Sequence, residues 1–429
     1  MPFRFFAFLI FTLCLKPSVS AQQLDPLQRF LPPEIEVGQT LTRQQALALA
    51  QRQNPLFLGN EAQVAGAKAN LQGQRVPINP TFNYSGLNNS VSPLNPGASS
   101  NYAVLATVET NGSIAWRTSQ AKNLLFATQS DQETALLTLR QSVLSAYIDL
   151  QTADLALENE KTAYANASRL SDLTEKQFQI GAAPETNAIR TRIALTQEES
   201  LLLKAASEVR LARANLNLQM GRSPNEPLGA ADPLRFTPIE ITLDTLLLQA
   251  EKMRPELRSS DYNRRALRAA VGLQNSQYYP NVLVGTDLRS VQASRFQVGF
   301  SLPLFDFGGI RGAVRKAKQD VKVQEFLIRQ LRQQIQLDVQ NAYLTMLRAQ
   351  RTVRLFQDGI LPRSESLLKR IEAGYSLGAS TLLDLIDAQN TARSTRNDYN
   401  NALSDHEKAL AQLERAIGKP LSLKETSAG

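Results

Sequence analysis

Two stretches of this 429-residue chain, two hundred residues apart, carry the same punctuation. The first runs from Leu41-Thr42-Arg43 through Ala46, Leu47 and Ala50 to Asn54-Pro55, then into a helical pattern that ends at Pro80. The second runs from Ile241-Thr242-Leu243 through Leu246, Leu247 and Ala250 to Arg254-Pro255, then into a helical pattern that ends at Pro280. One offset pairs Thr42 with Thr242, Leu47 with Leu247, Ala50 with Ala250, Pro55 with Pro255 and Pro80 with Pro280. Self-similarity at a fixed period marks an internal duplication, so the chain must build one architecture twice.

After Pro80 and Pro280, the expected helix-to-strand transitions, the period changes from helical to alternating. Thr81-Phe82-Asn83-Tyr84-Ser85-Gly86 sets Phe82 and Tyr84 on one face and Asn83 and Ser85 on the other; Asn281 to Thr286 is a weaker match. Turn-rich stretches lead to returning strands at Tyr102–Val108 and Phe296–Leu302, so each repeat supplies one β-hairpin, at 81–108 and 281–304. Strands with one apolar and one polar face suit a transmembrane barrel. Four strands cannot close a barrel, and an open edge in lipid leaves backbone groups unpaired. Three copies sharing one barrel would give twelve strands.

Each hairpin feeds a long helical pattern. From Trp116 to Ile180 is about 65 residues, which at about 1.5 Å each makes a helix of roughly 100 Å, several bilayer thicknesses. Its counterpart starts near Gly309-Ile310-Arg311 and carries Ile328, Leu331, Ile335, Val339, Ala342, Met346, Ala349, Val353 and Phe356 at spacings of three and four, a stripe for packing along another helix. Both patterns stop at a glycine, Gly181 and Gly378, and restart. Both then run the same length to a second glycine, Gly221 and Gly418. Just after the second tip turn come Asp384 and Asp387, three apart and so on one helix face. One reading is helix capping, since carboxylates in a first turn meet the positive end of the helix dipole; the other is an acidic pair placed at the tip for function.

The N-terminus reads as a cleaved secretory signal: Arg4, an apolar run from Phe5 to Leu15, then Val19-Ser20-Ala21. Its single cysteine, Cys14, follows Leu13 rather than the small residue that lipidation favours. No other long apolar run occurs, so insertion into a membrane must use strands. The organisation that follows is 1–21 signal, 22–40 extended lead-in, 41–221 first repeat with its tip at 181–187, 222–240 connector, 241–418 second repeat with its tip at 378–384, and 419–429 polar tail. The net charge of +8, +6 without Arg4 and Lys16, is spread along helices and reads as solvated faces, not as a nucleic-acid surface. A chain with one histidine and no cysteine after the signal offers little for triads, thiol chemistry or zinc, so no catalytic residue, metal site or cofactor is assigned. His406, between Asp405 and Glu407-Lys408, is expected to be a solvated surface residue. Gly308-Gly309 lacks the Gly-Lys-Ser/Thr of a phosphate loop and reads as a strand-to-helix bend. Trp116 stands where barrel would meet helix, as an interfacial anchor or as ordinary packing.

These features together resemble the TolC-like outer-membrane efflux factors over nearly all of the chain beyond the signal. The carriers are the paired Leu/Ile-Thr and Asn/Arg-Pro openings, the prolines before each hairpin, Ser301-Leu302-Pro303-Leu304-Phe305-Asp306-Phe307-Gly308-Gly309, and Gly378 through Asp387. The resemblance implies a mainly α fold with a small β part: a homotrimer whose duplicated helical hairpins form a periplasmic α-barrel tunnel, capped by a twelve-stranded β-barrel in outer-membrane lipid. It implies an exit duct with no enzymatic activity, working with a periplasmic adaptor and an inner-membrane pump of RND or ABC type. It places Asp384 and Asp387 in a selectivity ring at the entrance, where carboxylates favour cations. Tyr375 matches a closing-network tyrosine and Thr186 a partner position. The family's arginine is Ser380 here and a neighbouring aspartate is Asn187, so fewer ionic contacts are expected to hold the gate. The pattern also resembles the branch serving heavy-metal pumps. The competing readings are a periplasmic coiled-coil adaptor or scaffold, which should carry one hairpin rather than two, and the outer-membrane component of a type I protein secretion system.

Overall fold

The computed structural model describes residues 40–86, 100–288, 294–302 and 305–421. The expected signal with Cys14, the lead-in to residue 39, most of each hairpin turn, Pro303-Leu304 and the tail from 422 lie outside the described residues. The first half runs β1 (Thr40–Leu41), α1 (Arg43–Gln53), α2 (Pro55–Gln74), β2 (Thr81–Gly86), β3 (Ser100–Val108), α3 (Ser113–Gln179) and α4 (Glu185–Met220). After β4 (Gly229–Ala230) the order recurs as α5 (Leu243–Met253), α6 (Pro255–Ser276), β5 (Asn281–Leu288), β6 (Ser294–Ser301) and α7 (Gly309–Leu355). A π-turn over Phe356–Ile360, α8 (Leu361–Ser376) and α9 (Leu382–Ile417) complete it.

Local chemistry explains the punctuation. Thr42 opens α1 with a capping box, its hydroxyl accepting from Gln45 N while Gln45 Oε1 accepts from Thr42 N. Asn54 ends α1 and caps α2, its Oδ1 accepting from Leu56 N and Phe57 N, and Pro55 takes the first helical position, where a missing N–H costs nothing. Gly112 and Gly308 precede the long helices with φ of 78° and 103°, conformations that only glycine adopts readily. Asp306 completes the second of these bends, accepting from the backbone N–H groups of Gly308, Ile310 and Arg311.

At 67 residues, α3 is about 100 Å long. It buries Leu139, Val143, Ala146 and Leu150, while α7 buries Ile335, Val339, Ala342 and Met346 at the same places 196 residues later. The second core joins these α7 residues to Leu246 and Ala250 of α5 and to Ala409, Leu413, Ala416 and Ile417 of α9. At the tips the offset is 197, since Gly181 pairs with Gly378. The second copy therefore carries one extra residue between Val353 and Gly378. The structure absorbs it in the π-turn, where Leu361 N donates to Phe356 O five residues back. Pro362, one residue on, lacks the N–H that an α-helix would use there. Sequence reading expected an uninterrupted helix here.

The sheet is antiparallel in the order β2-β3-β5-β6. Register pairs Phe82 with Val104, Val104 with Thr286, and Thr286 with Phe296. A second, unexpected sheet is the two-residue parallel pair β1-β4, which joins the start of the first repeat to the connector. Tyr147 of α3, fully buried, fastens it: its hydroxyl donates to Leu41 O and accepts from Ala231 N and Asp232 N.

One sequence expectation is overturned. His406 is not a solvated surface residue; it is 0% exposed, beside the ring of Phe236 from the connector, and neither ring nitrogen has a hydrogen-bond partner. Asp405 is exposed and Lys408 half-buried, whereas Glu407 is itself buried and accepts from Arg235 N of the connector, so the connector covers this part of the helix. Trp116 packs against α6, where a side chain on Gly272 would strike the indole, and is also 44% exposed, so both of its readings stay open.

Candidate functional site

Three features carry the geometry a function would use: the sheet face, the tips and the seam between hairpins. On one sheet face, alternation and register gather Phe82, Val104, Val284, Phe296, Val298 and Phe300 across all four strands. Phe82 is 64% exposed and Phe296 and Phe300 each 74%, so apolar side chains face outward from this side of the sheet in the single chain, with Thr286 between Val104 and Phe296. Asn83, Thr107, Asn281 and Gln297 lie on the opposite face. Among the described residues, β2 and β6 each have one unpaired edge. No described helix is long and apolar enough to cross a membrane, which leaves the strands untouched by that test.

The tips are built alike. Gly181 has φ of 72° and Gly378 of 73°, and each hairpin reverses through the same bond, Ala182 N to Gln177 O and Ala379 N to Gly374 O, both 2.7 Å. Thr381 caps α9, accepting from Asp384 N, while Asp384 Oδ2 accepts from Thr381 N at 3.0 Å and from its hydroxyl at 2.7 Å. These two bonds from Thr381 hold the Asp384 carboxyl below its ordinary pKa, so it is ionised at neutral pH. Asp384 and Asp387 are both exposed, one turn apart on α9. Capping and a charged tip are thus compatible in Asp384. Tyr375 lies in the last turn of α8; Ser380, whose N–H donates to Gly374 O, sits against Gly374; Thr186 and Asn187 open α4. The structure brings Ser380 to its own hairpin and shows no hydrogen bond joining Tyr375 to Thr186 or Asn187.

Between the hairpins α3 and α9 run antiparallel, joined by Arg415 to Thr138, Arg140 to Glu414 and Lys408 to Asp149. Nearer the tips stands a cluster that the sequence did not signal. Arg393 Nη1 donates to Glu160 of α3 at 3.0 Å and to Glu198 of α4 at 3.2 Å. Asn397 Nδ2 donates to the other oxygen of Glu160, and Asn159 to Asn397, both at 2.9 Å. Burial pushes the Glu198 carboxyl above its ordinary pKa, with Arg393 opposing and Glu160 adding to the shift. Residues separated by up to 238 positions meet here, beyond the reach of any local pattern.

Known proteins share this architecture. Nodulation protein T of Rhizobium leguminosarum bv. trifolii is 23% identical over 331 residues, 70% of this chain and 67% of that protein. The cobalt-zinc-cadmium resistance protein CzcC of Cupriavidus metallidurans is 28% identical over 232 residues, half of this chain and 54% of that protein. The crystal structure of the Campylobacter jejuni CmeC outer membrane channel superposes with a TM-score of 0.74 at 16% identity, covering 90% of each chain. The family model described as outer membrane efflux protein matches residues 46–222 and 246–419, and the chain belongs to that family.

Proposed function

We propose that three copies of this chain form an outer-membrane exit duct: twelve strands close a barrel in lipid, and six helical hairpins continue it as a periplasmic tunnel. The observation that carries this is the four-stranded sheet, apolar and exposed on one face and, among the described residues, unpaired at both edges, which feeds directly into α3 of about 100 Å and α7 of about 70 Å. Edge strands of this kind are satisfied only by further strands, and in lipid only by closure. The duct is passive, receiving cargo from an inner-membrane pump through a periplasmic adaptor, and reaches its place after removal of the N-terminal signal. Asp384 and Asp387 of three chains ring the entrance as six carboxylates, with Tyr375, Thr186, Asn187 and Ser380 around them.

The test is to purify the protein from outer membranes and add it to planar lipid bilayers. Heat-modifiable trimers that conduct ions are expected; a monomer that salt extracts from membranes and that conducts nothing would mean a periplasmic scaffold instead. The name of CzcC makes metal cations one cargo to examine. Accumulation of zinc, cobalt and copper against a lipophilic cationic dye, in cells with and without the gene, separates a metal pump from a multidrug pump.

A further inference from the structure

The hairpins are held together unevenly. Among the described residues, no ion pair crosses between them on the tip side of Arg393; Arg192 there pairs with Glu175 inside the first hairpin. Arg393 stands 15 residues from Gly378 and Glu160 stands 21 from Gly181, so roughly 20–30 Å of each hairpin lies beyond the cluster. Arg393 and Glu198 form one end of a crevice of about 350 Å³ that opens between α3 and α4 on one side and α8 and α9 on the other and continues past Leu170, Ala194, Leu368 and Ile386. Just above the cluster, Phe356 at the start of the π-turn packs beside Val353, Ala402 and Leu403. Only the second hairpin has this interruption, since α3 is continuous through the matching level.

We propose that Arg393 is the positioning residue that sets the resting separation of the two hairpins, and through it the width of the entrance at the tips. This rests on the exit-duct reading. The guanidinium is gripped from both helices of the first hairpin, by Glu160 of α3 and Glu198 of α4, with side-chain exposures of 8% and 11%. Its own helix, α9, belongs to the second hairpin. Asn397, itself held by Asn159, donates to the other oxygen of Glu160 and so orients the carboxylate toward Arg393. Release of Arg393 frees the second hairpin, which has a ready flexing point in a turn that has lost its regular hydrogen-bond ladder. The first hairpin has no such point and acts as the fixed wall.

The experiment records single-channel openings of the purified full-length trimer in planar bilayers for wild type, Arg393→Ala, Arg393→Lys and the isosteric double variant Glu160→Gln with Glu198→Gln. Losing a charge-assisted hydrogen bond moves a two-state equilibrium by roughly tenfold or more, so Arg393→Ala and the double variant are expected to raise the open fraction by about that factor. Arg393→Lys, which restores a positive charge between the carboxylates, is expected to return most of the wild-type behaviour. Should Arg393→Ala fail to give heat-modifiable trimers, the double variant, which keeps shape and hydrogen-bonding capacity, decides alone. Wild-type openings in a correctly assembled double variant would overturn the assignment to Arg393. Absence of conductance in every protein, wild type included, would overturn the exit-duct reading beneath it.

Discussion

Asn54 and Arg254 occupy the same position in the two copies, and each reaches to a carbonyl in the last turn of its own return helix. Asn54 Nδ2 donates to Gln219 O at 2.8 Å, and Arg254 Nε donates to Ala416 O at 2.7 Å. Helix ends leave carbonyls without intrahelical partners, and here two chemically different side chains solve that problem at equivalent places. Arg254 does more, pairing with Glu256 at 2.9 Å and Asp338 at 3.2 Å.

Arg254→Ala should therefore cost more than Asn54→Ala. Removing the arginine strands two partly buried carboxylates and one carbonyl, an expected loss of about 3 kcal/mol, whereas Asn54→Ala removes a helix cap and one carbonyl bond, about 2 kcal/mol. Urea unfolding followed by circular dichroism measures both. An equal or reversed order would mean that the ion pairs to Glu256 and Asp338 add nothing.

Glycines at the two ends of one return helix should differ in the same assay. Gly181 and Gly221 share a positive φ, 72° and 77°, but Gly181 faces open space while a side chain on Gly221 would strike the Gln53 carbonyl. Gly181→Ala is expected to cost about 1 kcal/mol, the price of the left-handed conformation alone. Gly221→Ala must also move the Asn54-Pro55 break and is expected to cost about 3 kcal/mol. Similar costs at both positions would show that the break yields freely.

His406 predicts a pH dependence. Burial pushes its imidazole from the usual 6.5 down to about 4, so the unfolded chain binds a proton more readily than the folded one across that interval. Its contribution is complete above pH 6.5 and is lost as the pH falls toward 4, about 3 kcal/mol in all. His406→Leu should remove that slope. It should also raise stability at pH 7 by about 1–2 kcal/mol, because two buried nitrogens without partners disappear. A slope unchanged in His406→Leu would assign the effect to other groups.

What was legible in the sequence was whatever repeats or alternates locally. The tips, the strands and the long helices announce themselves through Gly181 and Gly378, the Phe82-Tyr84 alternation and the stripe through Val339 and Met346. The π-turn left a fainter trace, a change of offset from 196 at Val339 to 197 at Gly378 together with Pro362, which only a residue-by-residue comparison of the copies reveals. The burial of His406 left none, since Asp405, Glu407 and Lys408 describe a polar helix and the covering Phe236 comes from a distant connector. The same holds for Arg393, whose partners Glu160 and Glu198 are adjacent only after both hairpins have formed.

The tip carboxylates allow charge to be separated from capping. Asp384 serves both roles in the fold, accepting from Thr381 while it presents charge at the tip, so Asp384→Ala would disturb the start of α9 as well as any ring. Asp384→Asn keeps an acceptor for Thr381 and removes only the charge. The variant Asp384→Asn with Asp387→Asn should therefore assemble as wild type does, yet show a reversal potential shifted toward neutral selectivity and weaker block by multivalent cations, since a trimer would lose six negative charges from one aperture. Cation selectivity that survives the double substitution would place the selective charges elsewhere in the duct, and would leave Asp384 as a helix cap.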